Sequence, residues 1–285
     1  DLRCPQRIAL RLQADFDAMT QNWPTQGFAK ETLLYSGQHL ELDLWRPKGT
    51  PRGLVVHAHG GGFVHGSRDD RIARHFGPII AATGIAFASI SYRKGGVAGR
   101  AFSEVAREAI DAAAQKSCAF YPSVRQNLFG PSLFRAAVDF RRAVAFLFAH
   151  DGAKFAGLPW LAMGNSSGGL AAISAVYPSD TLPLDEVLPA PEKVIAIASI
   201  VPHPWLLRPD GPQICLLTAR GDQVFPRAEV DKLAGFVTSQ SLPVEINRIP
   251  YGQHTRPVRE LVSDAETNQW AQWFLAHLEE AMSET

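Results

Sequence analysis

The feature that most constrains this chain is a set of short apolar runs with almost no polar interruption. GLVVHAH (53–59), IAFASISY (85–92), PWLAMGN (159–165), VIAIASIV (194–201), QICLLTA (213–219) and VEINRIP (244–250) are each bounded by turn residues. Runs of this kind suit strands covered on both faces, because a half-exposed strand alternates apolar with polar. Between them lie segments of helical period: 68–82 carries Ile72, Phe76, Ile79 and Ile80, and 132–150 carries Phe134, Val138, Leu147 and Phe148. Strand–helix alternation predicts a mostly parallel, doubly wound sheet with helices on both faces. TLLYS (32–36) and HLELDLWRP (39–47), joined at Gly37-Gln38, predict an antiparallel hairpin ahead of it, which brings the sheet to eight strands. The whole chain, 1–285, is expected to be one α/β domain, with a further helix over 5–20 as one candidate lid. Ligands of such sheets bind beyond the carboxyl ends of the strands.

Charge narrows the partners. The 28 basic and 28 acidic residues cancel, so no global field draws the protein to nucleic acid or to an anionic membrane surface. A small, neutral or weakly polar ligand fits better. No stretch approaches the roughly 18 consecutive apolar residues of a membrane span, and DLRCPQRIALRLQ lacks the apolar core of a signal peptide. Three scattered cysteines, Cys4, Cys118 and Cys215, make neither a disulfide framework nor a zinc site. A cytoplasmic location is therefore expected; a removed leader and a Cys4–Cys118 bridge stay open as alternatives. The sequence carries no signal for oligomeric state.

One interval between elements, 94–131, is unusually long. It opens with Gly95, Gly96 and Gly99 and then places Phe102, Val105, Ala109, Ile110 and Ala113 on one helical face. It reads either as an extra helix packed on the body or as a mobile lid over a site.

The stretch "Gly164-Asn165-Ser166-Ser167-Gly168" fits G-x-S-x-G, between a buried strand and the small-residue helix GLAAISAV. A tight strand-to-helix turn pushes its central residue to positive φ and brings backbone segments too close for side chains, which explains the glycines. In that geometry Ser166 is the nucleophile and Ser167 contributes its backbone N–H. On this reading Ser167→Ala, which keeps the amide, loses little. A serine-rich helix cap would use the same residues, but a second motif argues against it.

That motif is "His59-Gly60-Gly61-Gly62-Phe63", at the carboxyl end of GLVVHAH and leading toward a helix whose expected N-cap is Ser67. Three glycines after a strand are retained where backbone amides must point at something, here a developing oxyanion. No G-K-[ST] or G-x-G-x-x-G follows, so a phosphate loop is disfavoured. His59 is expected to shape the loop rather than to move protons.

A hydroxyl needs a base, and the base needs an orienting group. Asp222 follows the strand QICLLTA and His254 follows VEINRIP, which puts both at the same sheet edge as Ser166 in the chain order serine, acid, histidine. An exposed Gly-Asp turn residue is the other reading of Asp222, which its place in the chain order disfavours, and His65 and His203 stand as alternative bases. Phe63, His65, Trp205 and Phe225 flank the same edge and are expected to line the substrate pocket. Neither a metal nor an organic cofactor is expected.

HGGGF, GNSSGG, GDQVFP and GQH together resemble the α/β-hydrolase superfamily, in particular its hormone-sensitive-lipase-like carboxylesterase branch, over about Leu33 to Leu278. The resemblance implies an α/β-hydrolase fold, a serine esterase acting on a small-molecule ester, an oxyanion hole from the amides of Gly61, Gly62 and Ser167, and a triad of Ser166, Asp222 and His254. It departs from the branch at Asn165 and Ser167, where aspartate and alanine are commoner, at KGGVAGR after Ser91-Tyr92-Arg93, and at 202–212, which is too short for an inserted cap. Two other readings use the same residues: an amidase or peptidase with the same triad, and a ligand-binding protein on a hydrolase scaffold that turns nothing over.

Overall fold

A computed structural model of the chain describes residues 27–37, 39–150, 152–179, 187–263 and 268–283. The expected helix over 5–20 and Cys4 lie outside these residues. In chain order the elements are β1 (Phe28–Ser36), β2 (Leu40–Pro47), β3 (Leu54–Ala58), α1 (Arg71–Ala82), β4 (Ala86–Ile90), α2 (Glu104–Phe120), α3 (Pro131–His150) and the single turn α4 (Gly152–Phe155). There follow β5 (Trp160–Asn165), α5 (Ser167–Val176), β6 (Lys193–Ile197), β7 (Gln213–Ala219), α6 (Arg227–Ser239), β8 (Val244–Ile249), α7 (Arg256–Leu261) and α8 (Gln269–Ser283).

The eight strands form one sheet in the order β1-β2-β4-β3-β5-β6-β7-β8. β2 pairs antiparallel with β1 and with β4, and every later pairing is parallel. The expected fold class is the one observed: a mostly parallel eight-stranded sheet opened by an antiparallel hairpin.

Because side chains alternate across a strand, the continuous apolar runs feed two cores. Val55, Phe87, Met163, Ile195 and Leu217 meet Phe76 and Ile80 of α1 and Phe274 and Leu278 of α8 on one face. Val56, Ala162, Val194 and Leu216 meet Phe140 and Val144 of α3 and Leu170 of α5 on the other. Each of these side chains larger than alanine contributes about 1.5–3 kcal/mol by leaving water. Among the described residues no helix is long and apolar enough to cross a membrane.

Three boundaries differ from the sequence reading. β1 starts at Phe28 rather than at residue 32, since Phe28 to Glu31 pair with Pro47 to Leu44 although most of their side chains face solvent. The cap of α1 is Asp70 rather than Ser67: its carboxylate accepts from the Ala73 amide at 2.8 Å. The helix in the 94–131 interval runs Glu104–Phe120, capped by Ser103, whose hydroxyl accepts from the Ala106 amide at 3.3 Å.

That interval is tied to the body at several points. Ser117 Oγ lies 2.9 Å from the Pro202 carbonyl and 2.8 Å from His203 Nδ1. Tyr121 Oη donates to the Val201 carbonyl at 2.8 Å, and the Ser123 amide donates to Glu229 Oε1 at 2.7 Å. Its Cys118 pairs with no cysteine among the described residues.

The strand order reverses around β3, which is flanked by β4 on one side and β5 on the other, with Ala58 opposite Gly164. The glycine-rich loop after β3 and the serine turn after β5 therefore emerge side by side at the switch point, where open α/β sheets bind their ligands.

Candidate active site

Ser166 occupies the turn between β5 and α5 with φ 52° and ψ −120°. A non-glycine residue held there costs on the order of 1–3 kcal/mol and persists only where its surroundings fix it. They do: the Ser166 amide donates to the Ile197 carbonyl at 2.8 Å, and Ser199 Oγ donates to the Ser166 carbonyl at 3.0 Å. Gly168 lets α5 start directly against β3, for a Cβ there would stand 2.1 Å from the Ala58 carbonyl oxygen.

The side chain of Ser166 meets the two residues that chain order assigned to it. Ser166 Oγ is 2.8 Å from His254 Nε2, and His254 Nδ1 is 2.8 Å from Asp222 Oδ2. The other Asp222 oxygen accepts from the amides of Val224 at 2.8 Å and Phe225 at 3.0 Å, so the carboxylate is pinned in the turn after β7. Asp222 is almost wholly buried, and the His254 side chain keeps 20% of its surface exposed. With Nδ1–H donated to a carboxylate, the neutral imidazole presents a lone pair at Nε2 to the Ser166 hydroxyl, which is the arrangement that lets a histidine take a serine proton.

The glycine loop is a tight reversal. Gly61 has φ 124°, Gly62 62° and Phe63 64°. The Gly61 carbonyl accepts from the amides of Val64 at 3.2 Å and His65 at 3.0 Å. A Cβ on Gly61 would fall 2.2 Å from the His65 carbonyl oxygen, so only glycine closes this turn. His59 is buried beneath it, stacked on Tyr92 at 4.3 Å between ring centroids, with Nδ1 2.7 Å from the Gly60 carbonyl. Burial lowers its pKa to about 4, so the ring is neutral at pH 7 and shapes the loop.

Of the three amides expected to face an oxyanion, those of Gly61 and Ser167 have no acceptor among the described residues. The third, that of Gly62, donates to Ser167 Oγ at 2.9 Å. Tyr92 Oη continues the connection, 3.4 Å from Ser167 Oγ and donating to the His59 carbonyl at 2.8 Å. The hydroxyl that distinguishes Ser167 from alanine thus holds the glycine loop to the start of α5. A serine inside a helix N-terminus carries no signature of such a bond in sequence.

A cavity of about 720 Å³ opens over Ser166 and His254, within the usual range of small-molecule sites. Of the four residues expected to line it, only His65 does. Phe63 and Phe225 are each 1% exposed: the left-handed backbone turns the Phe63 ring under the loop against Tyr92, and Phe225 buttresses the His254 ring at 5.6 Å. Trp205 packs on His203 and under Lys116 instead. The apolar wall is Val64, Leu128, Val224 and Val258. Leu128 and its neighbours Arg125 and Asn127 come from the 94–131 interval.

The alternative bases are placed elsewhere in role. His203 bonds Ser117, and burial lowers its pKa to about 4. His65 reaches the cavity, but the nitrogen on Ser166 Oγ belongs to His254.

Away from this site, Cys215, Glu245 and His277 bring their ligand atoms within 4.8 Å of one another. The cluster does not suit a metal. His277 turns Nδ1 to Cys215 Sγ at 3.6 Å and Nε2 to Glu245 at 3.4 Å, so it bridges the two instead of converging with them on one point. Lys193 Nζ, 3.5 Å from the same Nδ1 and 2.6 Å from Glu280, already supplies a cation. Burial pushes the Cys215 thiol up to about 12, which keeps it protonated.

No family model matches the chain, and no curated protein is significantly similar in sequence. Solved structures are similar in fold. Esterase B from Lactobacillus rhamnosis, inhibited by a tributyrin phosphonate, superposes with a TM-score of 0.64 at 14% identity, covering 100% of this chain and 97% of its own. A bacterial heroin esterase gives 0.61 at 16%, covering 99% and 93%. The propionate-bound esterase of the Planctomycetes species Thermogutta terrifontis gives 0.61 at 17%, covering 92% and 97%. These structures superpose over nearly their whole length, and the eight-stranded, mostly parallel sheet opened by an antiparallel hairpin is that of the α/β-hydrolase fold.

Proposed function

We propose that the protein is a serine hydrolase that cleaves carboxylic esters of small or medium acyl groups through an acyl-enzyme. The observation that carries this reading is the unbroken relay of two 2.8 Å contacts from Ser166 Oγ through His254 to Asp222. His254 Nε2 takes the Ser166 proton as Oγ attacks the ester carbonyl, and Asp222 stabilises the imidazolium that forms. The amides of Gly61 and Ser167 receive the oxyanion, and the Gly62 amide joins them by leaving Ser167 Oγ. Collapse of the tetrahedral intermediate passes the proton to the leaving alcohol; water, activated by the same histidine, then releases the acid. Each oxyanion donor is worth roughly 10²–10³ in turnover. A cavity of about 720 Å³ suits a short or medium acyl chain with a modest alcohol.

The test is covalent. A fluorophosphonate should label Ser166, identified by mass spectrometry, and p-nitrophenyl butyrate should turn over with a rate that Ser166→Ala abolishes. A matched p-nitroanilide should be cleaved far more slowly. Labelling at Ser167 with Ser166 untouched, or tight ester binding with no acyl-enzyme, overturns the proposal; faster anilide cleavage replaces esterase by amidase.

A further inference from the structure

We infer that the preferred substrate is an ester bearing a second, ionised oxyanion group, a carboxylate or a phosphate, held by Arg71, Arg125 and Arg259. This rests on the hydrolase reading above and names the substrate class of the same site. The three arginines come from separate elements: Arg71 opens α1, Arg125 precedes the short turn Gln126–Leu128, and Arg259 lies in α7, just past His254. All three line the cavity that contains Ser166 and His254.

Their lack of partners is the informative point. Arg46, Arg52, Arg68, Arg93 and Arg248 each meet a carboxylate at 2.5–2.8 Å. None of Arg71, Arg125 and Arg259 has an ion pair or a side-chain hydrogen bond among the described residues, and all three are exposed. One acidic residue, Asp70, lines the same cavity. It is already engaged: its carboxylate meets His57 Nε2 at 3.1 Å and caps α1 through the Ala73 amide. Burial alone would raise the Asp70 carboxyl, but the His57 ring and that amide outweigh it and hold the group below its ordinary range. Asn165, at the floor beside Ser166, is polar without charge.

A pocket whose cations outnumber its anions, in a chain of zero net charge, concentrates positive potential where the substrate enters. Guanidinium groups are suited to carboxylate and phosphate, which they bind through paired N–H donors. Because these arginines are solvated, each contributes modestly, a factor of about 1.5–5 per group, as exposed ion pairs do.

The experiment compares matched esters. On the acyl side, p-nitrophenyl hemiadipate is set against p-nitrophenyl hexanoate; on the alcohol side, p-acetoxyphenylacetate and p-acetoxyphenyl phosphate are set against p-tolyl acetate. At least one anionic ester should exceed its neutral match about tenfold in kcat/KM at low salt. That ratio should shrink in about 0.5 M NaCl and fall to near one in the Arg71→Gln/Arg125→Gln/Arg259→Gln variant. Which arm responds shows the side and the ion that the arginines read. A ratio at or below one in every arm of the wild type, or one that the triple substitution leaves intact, overturns the inference. The same esters titrated calorimetrically into Ser166→Ala report affinity without turnover. A chain that hydrolyses neutral esters and labels at Ser166 without anion preference therefore fails this inference alone. Absence of both labelling and hydrolysis fails the hydrolase reading, and the calorimetric ratio then decides the anion site.

Discussion

Ser167→Ala tests how the glycine loop is held and what the holding costs. In the native chain the Ser167 hydroxyl, fully buried, accepts from the Gly62 N–H at 2.9 Å and lies 3.4 Å from Tyr92 Oη. Removing Oγ takes away one hydrogen bond of average worth, about 1 kcal/mol net. Gly62 lines the cavity and its bond to Ser167 is only partly buried, so water can replace the lost acceptor and the larger penalty of a sealed, unpaired donor does not apply. Thermal unfolding should therefore move down by only about 2–4 °C. Turnover should move the other way. To reach a developing oxyanion the Gly62 amide must leave Ser167 Oγ, at a cost of about 0.5–1.5 kcal/mol, and the substitution removes that competition. At 1.36 kcal/mol per decade, kcat on p-nitrophenyl butyrate should rise about 2- to 10-fold, with Ser166 still labelled by phosphonate. The assay is steady-state kinetics beside scanning calorimetry on the same preparation. A tenfold fall in kcat with unaltered unfolding would refute the reasoning, because it would mean that the Ser167 hydroxyl keeps the loop in its working shape.

Two further outcomes follow from buried groups. His59 and His203 are each depressed by burial from 6.5 to about 4, so between those values the unfolded chain binds protons that the folded chain does not. Their contribution, on the order of 3 kcal/mol each, is intact above about pH 7 and is lost as pH falls toward about 4. Urea unfolding at about pH 7 and about pH 5 should show the loss; equal or greater stability at the lower pH would contradict it. Gly168→Ala should cost about 3 kcal/mol or more, because its Cβ would lie 2.1 Å from the Ala58 carbonyl oxygen and 2.4 Å from that of His59, both backbone. Calorimetry should find a markedly lower unfolding temperature, and an unchanged one would mean that β3 and α5 can separate freely.

What sequence reading recovers and what it misses divide along physical lines. The sheet is legible because residues such as Val194–Ile197 must be buried on both faces, and only a covered parallel strand offers that. Ser166, Asp222 and His254 are legible because each stands at the end of such a strand, so the fold itself fixes their common edge. The pocket wall is not, since Arg71, Arg125 and Arg259 meet only through the path of helices and of the 94–131 interval, which no periodicity encodes. Phe63 and Phe225 mislead for a related reason. They sit at the expected positions in the chain, but a single backbone turn decides whether a ring faces ligand or core. Asp70 in place of Ser67 as the cap is a choice among neighbouring residues with nearly equal intrinsic preference, settled by where the backbone leaves the loop.

Asp222 and His254 follow Ser166 in the chain, after β7 and β8, so the carboxylate and the imidazole emerge after the hydroxyl when the chain is made from its amino end. A ribosome that has emitted Ser166, its left-handed turn and the glycine loop has produced an assembly in which nothing yet meets the Ser166 hydroxyl. On the proposed mechanism, competence waits until β8 docks and brings His254 to Ser166.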